Sequence, residues 1–266
     1  MGETELQFLD VGEGAHRRRI AALTAPARRP DGLGLVWLIG LKSDMASTKA
    51  EMLARYAAEQ GLAMTRFDYS GHGRSGGRFE EATIGDWVEE AEAVLTQLTR
   101  GPQIVLGSST GAHVALLLLR RMMLQRADEA GRIKGLVLVA PAWDLTEELM
   151  WKKFPAEARR AILEQGYYDL PSEYGESYRI TRRFIEEGRN HLFAGRPFDP
   201  GRPVVILQGV QDVDVPVAHA RALTRLLTGG WTELIEIPDG DHRLSRPEDL
   251  ELLCRTVSVL ARRVAD

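Results

Sequence analysis

The sequence predicts an α/β fold, in which helices flank a doubly wound, mostly parallel sheet that carries an inserted helical lid. Strand-like and helix-like segments alternate along most of the 266 residues, which favours parallel strands joined by helices. The inner strands are continuous apolar runs, typical of strands covered on both faces; two of them are Leu-Val-Leu-Val at 136–139 and Val-Val-Ile-Leu at 204–207. The alternation breaks once, between about residues 143 and 200, and there we expect the lid.

In the first half of the chain, apolar strands and periodic helices follow one another closely. The segment 48–60 repeats Met, Leu, Tyr and Ala at helical spacing and ends at Gly61. The segment 83–98 is amphipathic, with apolar side chains such as Trp87 and Leu95 along one face. The predicted elements are strands at 18–25, 33–39, 62–69, 103–106 and 135–139, and helices at 48–60, 83–98 and from Thr110.

After the break the alternation resumes, with strands at 203–207 and 232–237 and helices at 218–227 and 247–264. The sequence therefore divides into a first core part at 1–142, the lid at 143–201 and a second core part at 202–266. A sheet of this kind binds its ligand at the carboxyl ends of the strands.

Aromatic residues concentrate in the predicted lid, where ten of the eighteen in the chain occur. They are Trp143, Trp151, Phe154, Tyr167, Tyr168, Tyr174, Tyr178, Phe184, Phe193 and Phe198. Some are expected to build the core of the insert. We expect at least two to line an apolar substrate pocket, with Trp143 and Trp151 as the candidates for substrate binding.

Composition narrows the class of protein. The net charge is −4 and both signs are mixed, so neither nucleic acid nor a membrane surface is favoured as the main partner. No apolar run approaches the roughly 18 residues of a membrane span, so stable membrane insertion is not expected. The acidic start of the chain lacks a secretory signal, and the single cysteine, Cys254, excludes an internal disulfide. We expect a cytoplasmic protein; no signal indicates an oligomeric state.

The run from Ile104 to Leu116 carries the strongest chemical signal. An apolar strand enters the G-x-S-x-G pattern Gly107–Gly111, and a helix-like segment leaves it. Such a sharp turn exposes the central hydroxyl, here that of Ser109, at the start of a helix. The N–H of Thr110 would then lie where it can stabilise an oxyanion. The alternative is an ordinary glycine-flanked loop.

A nucleophilic serine needs a base and an acid. His242 follows the last predicted strand, at the carboxyl end of the sheet, and is the expected base. Of the other histidines, His113 and His72 are expected to be structural, whereas His16, His191 and His219 are expected at the surface. Two aspartates, Asp212 and Asp214, follow the strand at 203–207; we prefer Asp212 as the acid that orients His242 and interpret Asp214 as a helix-start residue.

The order Ser109, Asp212, His242 is the triad order of the α/β-hydrolases, and the sequence resembles that superfamily over essentially its whole length. Residues 68–75 resemble the D-x-x-G-H-G-x-S loop of the superfamily, and residues 209–216 resemble its acid turn, G-x-x-D-x-x-V-P. The resemblance implies a backbone oxyanion donor after the strand at 33–39, at Leu41. It implies neither a cofactor nor a metal, and no two histidines lie at metal-ligand spacing on one element.

A narrower resemblance is to the acyl-protein thioesterase (depalmitoylase) and acyl-glucuronide esterase branch and its bacterial relatives. The stretches that carry it are 40–45, 48–50, 66–71, 107–109 and 241–243. Two departures, Ile39 before the oxyanion glycine and Ala112 after the elbow, leave the backbone donors in place. The resemblance implies a small-molecule ester or thioester, or an acylated protein, as substrate.

We therefore expect a serine hydrolase that cleaves a carboxylic ester or thioester of an apolar acyl group through an acyl-enzyme. Lys42 and Ser43, beside the oxyanion turn, are candidates for contact with the leaving group. Three lid arginines could clamp a carboxylate or simply be solvated: Arg179, Arg182 and Arg183. The alternative function is a catalytically degenerate hydrolase that serves as a small-molecule binding module. The literal G-x-G-x-x-G at 71–76 does not indicate dinucleotide binding, because no helix begins inside it.

Overall fold

A computed structural model of the chain describes residues 4–171 and 177–265, which leaves Tyr174 outside the described residues. The strands are β1 (Glu5–Val11), β2 (Arg18–Ala25), β3 (Gly34–Leu38), β4 (Ala63–Phe67), β5 (Gln103–Ser108), β6 (Ile133–Val139), β7 (Tyr167–Leu170), β8 (Tyr178–Thr181), β9 (Val204–Gly209) and β10 (Thr232–Ile237). Eight of them form the main sheet, in the spatial order β1-β2-β4-β3-β5-β6-β9-β10, and β7 and β8 form a separate hairpin.

Helices connect and cover these strands. They are α1 (Thr48–Gln60), α2 (Ile84–Leu98), α3 (Thr110–Gln125), α4 (Ala127–Ala130), α5 (Ala156–Gln165), α6 (Arg182–Gly188), α7 (Val217–Leu226) and α8 (Pro247–Ala265). Local sequence determines where several of these helices begin or end. Thr83 and Asp86 form a reciprocal capping box that starts α2, and Gly61, in the left-handed region at φ 70°, ends α1.

The sheet confirms the predicted fold class. In the main sheet, the pairs β1–β2 and β2–β4 are antiparallel. The remaining pairs are parallel; they are β4–β3, β3–β5, β5–β6, β6–β9 and β9–β10. Every residue of β3, β5 and β9 is buried, as expected for strands covered by helices on both faces. Because the parallel strands share one direction, the segments that follow β3, β5, β6, β9 and β10 meet at one edge of the sheet.

Two parts of the sequence prediction need correction. β1 was not predicted; it is an edge strand with mostly exposed or half-buried side chains, so its apolar signal is weak. The insert is not purely helical: besides α5 and α6 it contains a π-helical segment, Leu145–Trp151, and the β7–β8 hairpin. Buried residues of the insert join those of both core parts in one apolar cluster, so the three segments share a core. Within the described ranges, no helix is long and apolar enough to cross a bilayer.

Candidate active site

Ser109 lies at a sharp turn between β5 and α3. Its backbone is in the positive-φ region, at φ 54° and ψ −117°, a conformation that costs a non-glycine residue about 1–3 kcal/mol. Its N–H donates to the carbonyl of Val139 at the end of β6 (2.8 Å), so the neighbouring strand holds the strained residue in place. In this conformation the side chain lines a cavity at the carboxyl edge of the sheet.

The two glycines of this turn are required by close backbone approaches. A Cβ at Gly107 would lie 2.3 Å from the carbonyl oxygen of Gly111, and one at Gly111 would lie 2.2 Å from that of Leu38. No side chain fits at either position unless the backbone moves. The G-x-S-x-G pattern is therefore a steric requirement of this strand–turn–helix junction.

His242 and Asp212 reach Ser109 from two other strand ends. His242 Nε2 lies 3.2 Å from Ser109 Oγ, and His242 Nδ1 lies 2.8 Å from Asp212 Oδ2. The buried Asp212 carboxylate accepts the Nδ1–H, and this tautomer leaves Nε2 to accept the serine proton. The three residues thus form a continuous hydrogen-bonded relay, which is the geometry of a base-activated nucleophile.

The acid turn holds Asp212 rigidly. Its Oδ1 accepts the backbone N–H groups of Asp214 (2.9 Å) and Val215 (2.8 Å), and the Gln208 side-chain amide donates to its Oδ2 (3.1 Å). Asp214 is not a helix-start residue as expected, because α7 begins at Val217 with Pro216 as its N-cap. Instead, Asp214 lines the cavity.

The loop after β3 lies opposite the serine, and two side chains of the 68–75 loop brace it. Lys42 is in the left-handed region (φ 58°) and its N–H donates to His72 Nε2 (3.1 Å), while Asp68 accepts the N–H of Met45 (2.7 Å). His72 Nδ1 in turn donates to the Ser70 carbonyl (3.2 Å). Burial lowers the pKa of His72 to about 4 and raises the pKa of Asp68 above its ordinary value.

A cavity of about 740 Å³ opens beside Ser109, within the range of small-molecule sites. Leu41, Thr110, Lys42 and Ser43 all line it. The apolar side chains of the insert that line it are named the apolar wall; they are Leu145, Leu149, Met150, Phe154, Leu170 and Tyr178. The polar and basic lining residues from the first and second core parts are named the basic wall; they are Lys42, Ser43, Ser47, Thr48, Lys49, Arg243 and Ser245.

The structure contradicts the expected role of two tryptophans. Trp143 does not line the cavity: its ring stacks on His219 with centroids 4.7 Å apart, and its indole N–H donates to the His219 carbonyl (3.0 Å). Trp151 is likewise outside the cavity lining and packs under the Arg189 guanidinium, 5.1 Å from the ring centroid. Among the described aromatics of the insert, Phe154 and Tyr178 line the cavity.

The three arginines of the insert are not a clamp in this structure. Arg179 forms a bidentate pair with Asp169 at 2.8 and 3.0 Å, and Arg182 pairs with Glu186 at 2.6 Å. Arg183 is exposed. None of the three lines the cavity, so they are solvated charges on the insert.

The remaining histidines lie away from the relay. His113 is fully buried below the serine, 3.7 Å from the Asp144 carboxylate, and burial lowers its pKa to about 3. His16 is exposed, as expected. His191 and His219 are half-buried and so less exposed than expected: His219 packs against Trp143 and His191 hydrogen-bonds Glu187.

Among the described residues, one group has the composition of a cation site. Potential ligand atoms of Asp212, Asp214 and His242 lie within 4.8 Å of one another. The Asp212 oxygens already accept two backbone N–H groups, an amide and the imidazole, so a cation would have to displace the relay itself.

Several cavity residues were not predicted from the sequence. Phe154 and Tyr178 belong to the aromatic excess, but composition does not say which aromatics face a ligand. Lys49 lies in the segment 48–50, which resembles the thioesterase branch, but the sequence did not indicate a role for it. Its Nζ donates to Ser245 Oγ (3.2 Å) and to the Arg243 carbonyl, and burial lowers its pKa to about 8.

Comparisons with known proteins identify the family of the chain. Residues 40–191 match the family model described as serine aminopeptidase, S33. A relative from Bos taurus, the mitochondrial palmitoyl-protein thioesterase ABHD10, is 31% identical over 231 residues, covering 85% of this chain and 72% of its own length. Its counterpart from Homo sapiens is 30% identical, with coverage of 85% and 72%. Because these relatives are named as mitochondrial, the cytoplasmic location expected from the sequence is wrong.

Solved structures match across nearly the whole chain. A protein from Agrobacterium vitis S4, described only as a hydrolase, superposes with a TM-score of 0.94 at 38% identity, covering 97% of this chain and 99% of the other. The alpha/beta hydrolase domain-containing protein 10 from mouse superposes with a TM-score of 0.83 at 28% identity, with coverage of 97% and 99%. The chain therefore belongs to the α/β-hydrolase family and is a serine hydrolase of the esterase or thioesterase type.

Proposed function

We propose that this hydrolase cleaves a carboxylic ester or thioester of an apolar acyl group through an acyl-enzyme on Ser109. The observation that carries the proposal is the relay from Ser109 Oγ to His242 Nε2 (3.2 Å) and from His242 Nδ1 to Asp212 Oδ2 (2.8 Å). A hydroxyl at its ordinary pKa is a weak nucleophile, and such a relay removes its proton as it attacks. A degenerate binding module would have no need to preserve all three contacts.

The reaction follows the relay in two stages. His242 takes the Ser109 proton as the hydroxyl attacks the acyl carbonyl, and the buried Asp212 carboxylate stabilises the imidazolium that forms. The N–H groups of Leu41 and Thr110 hold the oxyanion; Thr110 is the first residue of α3, so the positive end of the helix adds to its effect. His242 then protonates the leaving alcohol or thiol, and water repeats the sequence to release the acid.

The two walls of the cavity divide the substrate. The apolar wall contributed by the insert, which includes Met150 and Phe154, suits an alkyl or aryl acyl group. The basic wall with Lys42 and Ser43 suits a polar leaving group. The names of the ABHD10 relatives favour a long acyl thioester as the substrate class, presented on a small molecule or on a protein.

The insert at 143–201 is proposed as the lid. It supplies the apolar wall of the cavity through its π-helical segment, Leu145–Trp151, through Phe154 and through the β7–β8 hairpin. Its position beside Ser109 would exclude water from the acyl chain once substrate is bound.

Active-site labelling tests the proposal. A fluorophosphonate should modify the wild type, and tryptic peptide mapping should place the label on Ser109. Ser109→Ala and His242→Gln should lose about 10⁶-fold in kcat, the scale found when a triad serine or histidine is removed. Ser258→Ala, on α8 outside the cavity lining, is the matched control and should retain activity. Labelling at another residue, or full activity in Ser109→Ala, would contradict the proposal.

Acyl-chain preference tests the substrate class. p-Nitrophenyl esters from acetate to palmitate should be compared with acyl thioesters of the same chain lengths. We expect kcat/KM to rise with chain length until the apolar wall is filled. A preference for acetate in both series would refute the apolar-acyl assignment.

A further inference from the structure

Lys49 joins two segments that are far apart in the sequence. It is the second residue of α1, directly after the loop that carries Leu41 and Lys42. Its Nζ donates to the carbonyl oxygen of Arg243, 194 positions away, and to Ser245 Oγ at 3.2 Å. Arg243 is the residue after His242, so Lys49 ties the histidine loop to the side of the cavity that carries the proposed oxyanion donor.

The loop around His242 needs such a tether. On the side of the acid turn it is held by the bond from the Gln211 N–H to the Gly240 carbonyl (2.9 Å). Asp241 accepts the N–H of Leu244 (2.9 Å), a residue that is itself in the positive-φ region at 42°. These contacts fix the start of the loop and its internal turn, but they do not link it to the wall that faces Ser109.

The Arg243 carbonyl is the centre of the link across the cavity. It accepts from Lys49 Nζ and also from Ser245 Oγ (2.9 Å), and the same hydroxyl accepts from Lys49. The imidazole of His242 contacts Asp212 through Nδ1 alone, and a ring can pivot about a single hydrogen bond. A displacement of the adjacent carbonyl would therefore change the distance between His242 Nε2 and Ser109 Oγ.

Charge does not decide whether this tether forms. Burial and the neighbouring Arg243 lower the pKa of Lys49 to about 8, and the carboxylates of Asp241 and Asp249 partly oppose this shift. An ammonium has three N–H donors and a neutral amine has two, so either form can serve both acceptors. The contact depends on the length of the side chain and on its donors.

We propose that Lys49 is a positioning residue, which holds the His242 loop at the distance needed for proton transfer from Ser109. The proposal rests on the proposed function, in which His242 is the general base. Lys49 acts through the loop backbone and not as a ligand for the substrate, although its side chain lies in the cavity wall.

The test compares Lys49→Met with Lys49→Arg. Methionine keeps most of the volume and removes the donors, whereas arginine keeps donors at a similar reach. We expect Lys49→Met to lower both kcat for p-nitrophenyl acetate and the rate of labelling by a small, uncharged fluorophosphonate by about 10- to 100-fold, with KM unchanged, because small misplacements of a catalytic group have effects of this size. Lys49→Arg should recover most of both rates. Lys134→Met, at an exposed lysine on β6, is the matched control.

Chemical rescue separates positioning from a general loss of structure. In a Cys254→Ser background, where no native cysteine remains, Lys49→Cys should be slow. Treatment with 2-bromoethylamine converts this cysteine to a lysine analogue with a thioether, and we expect the labelling rate to return with it. A rate that stays low after complete modification would overturn the proposal.

Two further outcomes would also overturn it. If Lys49→Met labels at the wild-type rate, the tether does not position His242, whatever the state of the triad. If the variant raises KM for anionic substrates alone, Lys49 is a substrate ligand. Failure of the proposed function is distinguishable from both, because it would appear as labelling away from Ser109 in the wild type.

Discussion

Replacing His72 by glutamine should make the protein less sensitive to acid. His72 is 6% exposed and its Nε2 accepts the backbone N–H of Lys42. A proton on Nε2 would place two N–H donors against each other and remove this hydrogen bond. Burial is the largest cause of its lowered pKa, about 4 in the folded chain against 6.5 for the ordinary group. A glutamine oxygen can accept the same N–H but does not titrate.

The two pKa values of His72 set the size and sign of the effect. Between about pH 6.5 and 4 the unfolded chain binds a proton at this position that the folded chain does not, so the contribution of His72 to stability is present above pH 6.5 and is lost as the pH falls. One pKa unit corresponds to about 1.4 kcal/mol. Between pH 7 and pH 5 the free energy of unfolding should therefore fall by about 2 kcal/mol through His72 alone.

Urea unfolding followed by tryptophan fluorescence at pH 7, 6 and 5 measures this contribution. Relative to wild type, His72→Gln should gain about 2 kcal/mol between pH 7 and pH 5. His16→Gln, at an exposed histidine, is the control and should shift by less than about 0.5 kcal/mol. A constant gap between wild type and His72→Gln across the three pH values would refute the buried, neutral state of His72.

Three other substitutions test the site and its surroundings. Asp212→Asn should lower kcat for a p-nitrophenyl ester by about 10⁴-fold, because the amide favours the wrong imidazole tautomer. Asp214→Asn should stay within tenfold, because asparagine keeps the backbone N–H that donates to Asp212; the reverse ranking would refute the acid assignment. Gly107→Ala should lower the soluble yield and the melting temperature, because the added Cβ would lie 2.3 Å from the backbone oxygen of Gly111 in α3. An unchanged melting curve would contradict the steric need for glycine at this position. Burial outweighs the effect of the paired Arg18 and raises the pKa of the Glu90 carboxyl to about 7. In the same urea experiment, the free energy of unfolding of wild type should therefore rise by about 2 kcal/mol relative to Glu90→Gln as the pH falls from 7 to 5. No such rise would mean that the ion pair dominates.

Local patterns were enough for the elements whose signal is strong. The helix at 48–60 and the strand at 232–237 have the bounds expected from their periodicity and from the flanking residues. The edge strand β1 lacks a buried face, so its sequence carries little periodic signal. Tertiary packing, not propensity, sets its pairing with β2.

The part of the candidate site that could be predicted consists of residues that lie just after the ends of strands. Ser109, Asp212 and His242 each follow a parallel strand, and parallel strands bring their carboxyl ends to one edge. The orientation of Trp143 was not predictable, because residue type indicates burial but not which cavity or helix a ring faces. The contact of Lys49 with Arg243 spans 194 positions and depends on how two loops approach across the sheet.

In the proposed mechanism Ser109 carries the acyl group during turnover. Acid quenching of the enzyme within the first turnover of an acyl thioester, followed by intact mass measurement and peptide mapping, tests this. We expect a mass increase equal to one acyl group, located on the peptide that contains Ser109 and absent in Ser109→Ala. Turnover without any such adduct under conditions where deacylation is slow, or an adduct on another residue, would contradict it.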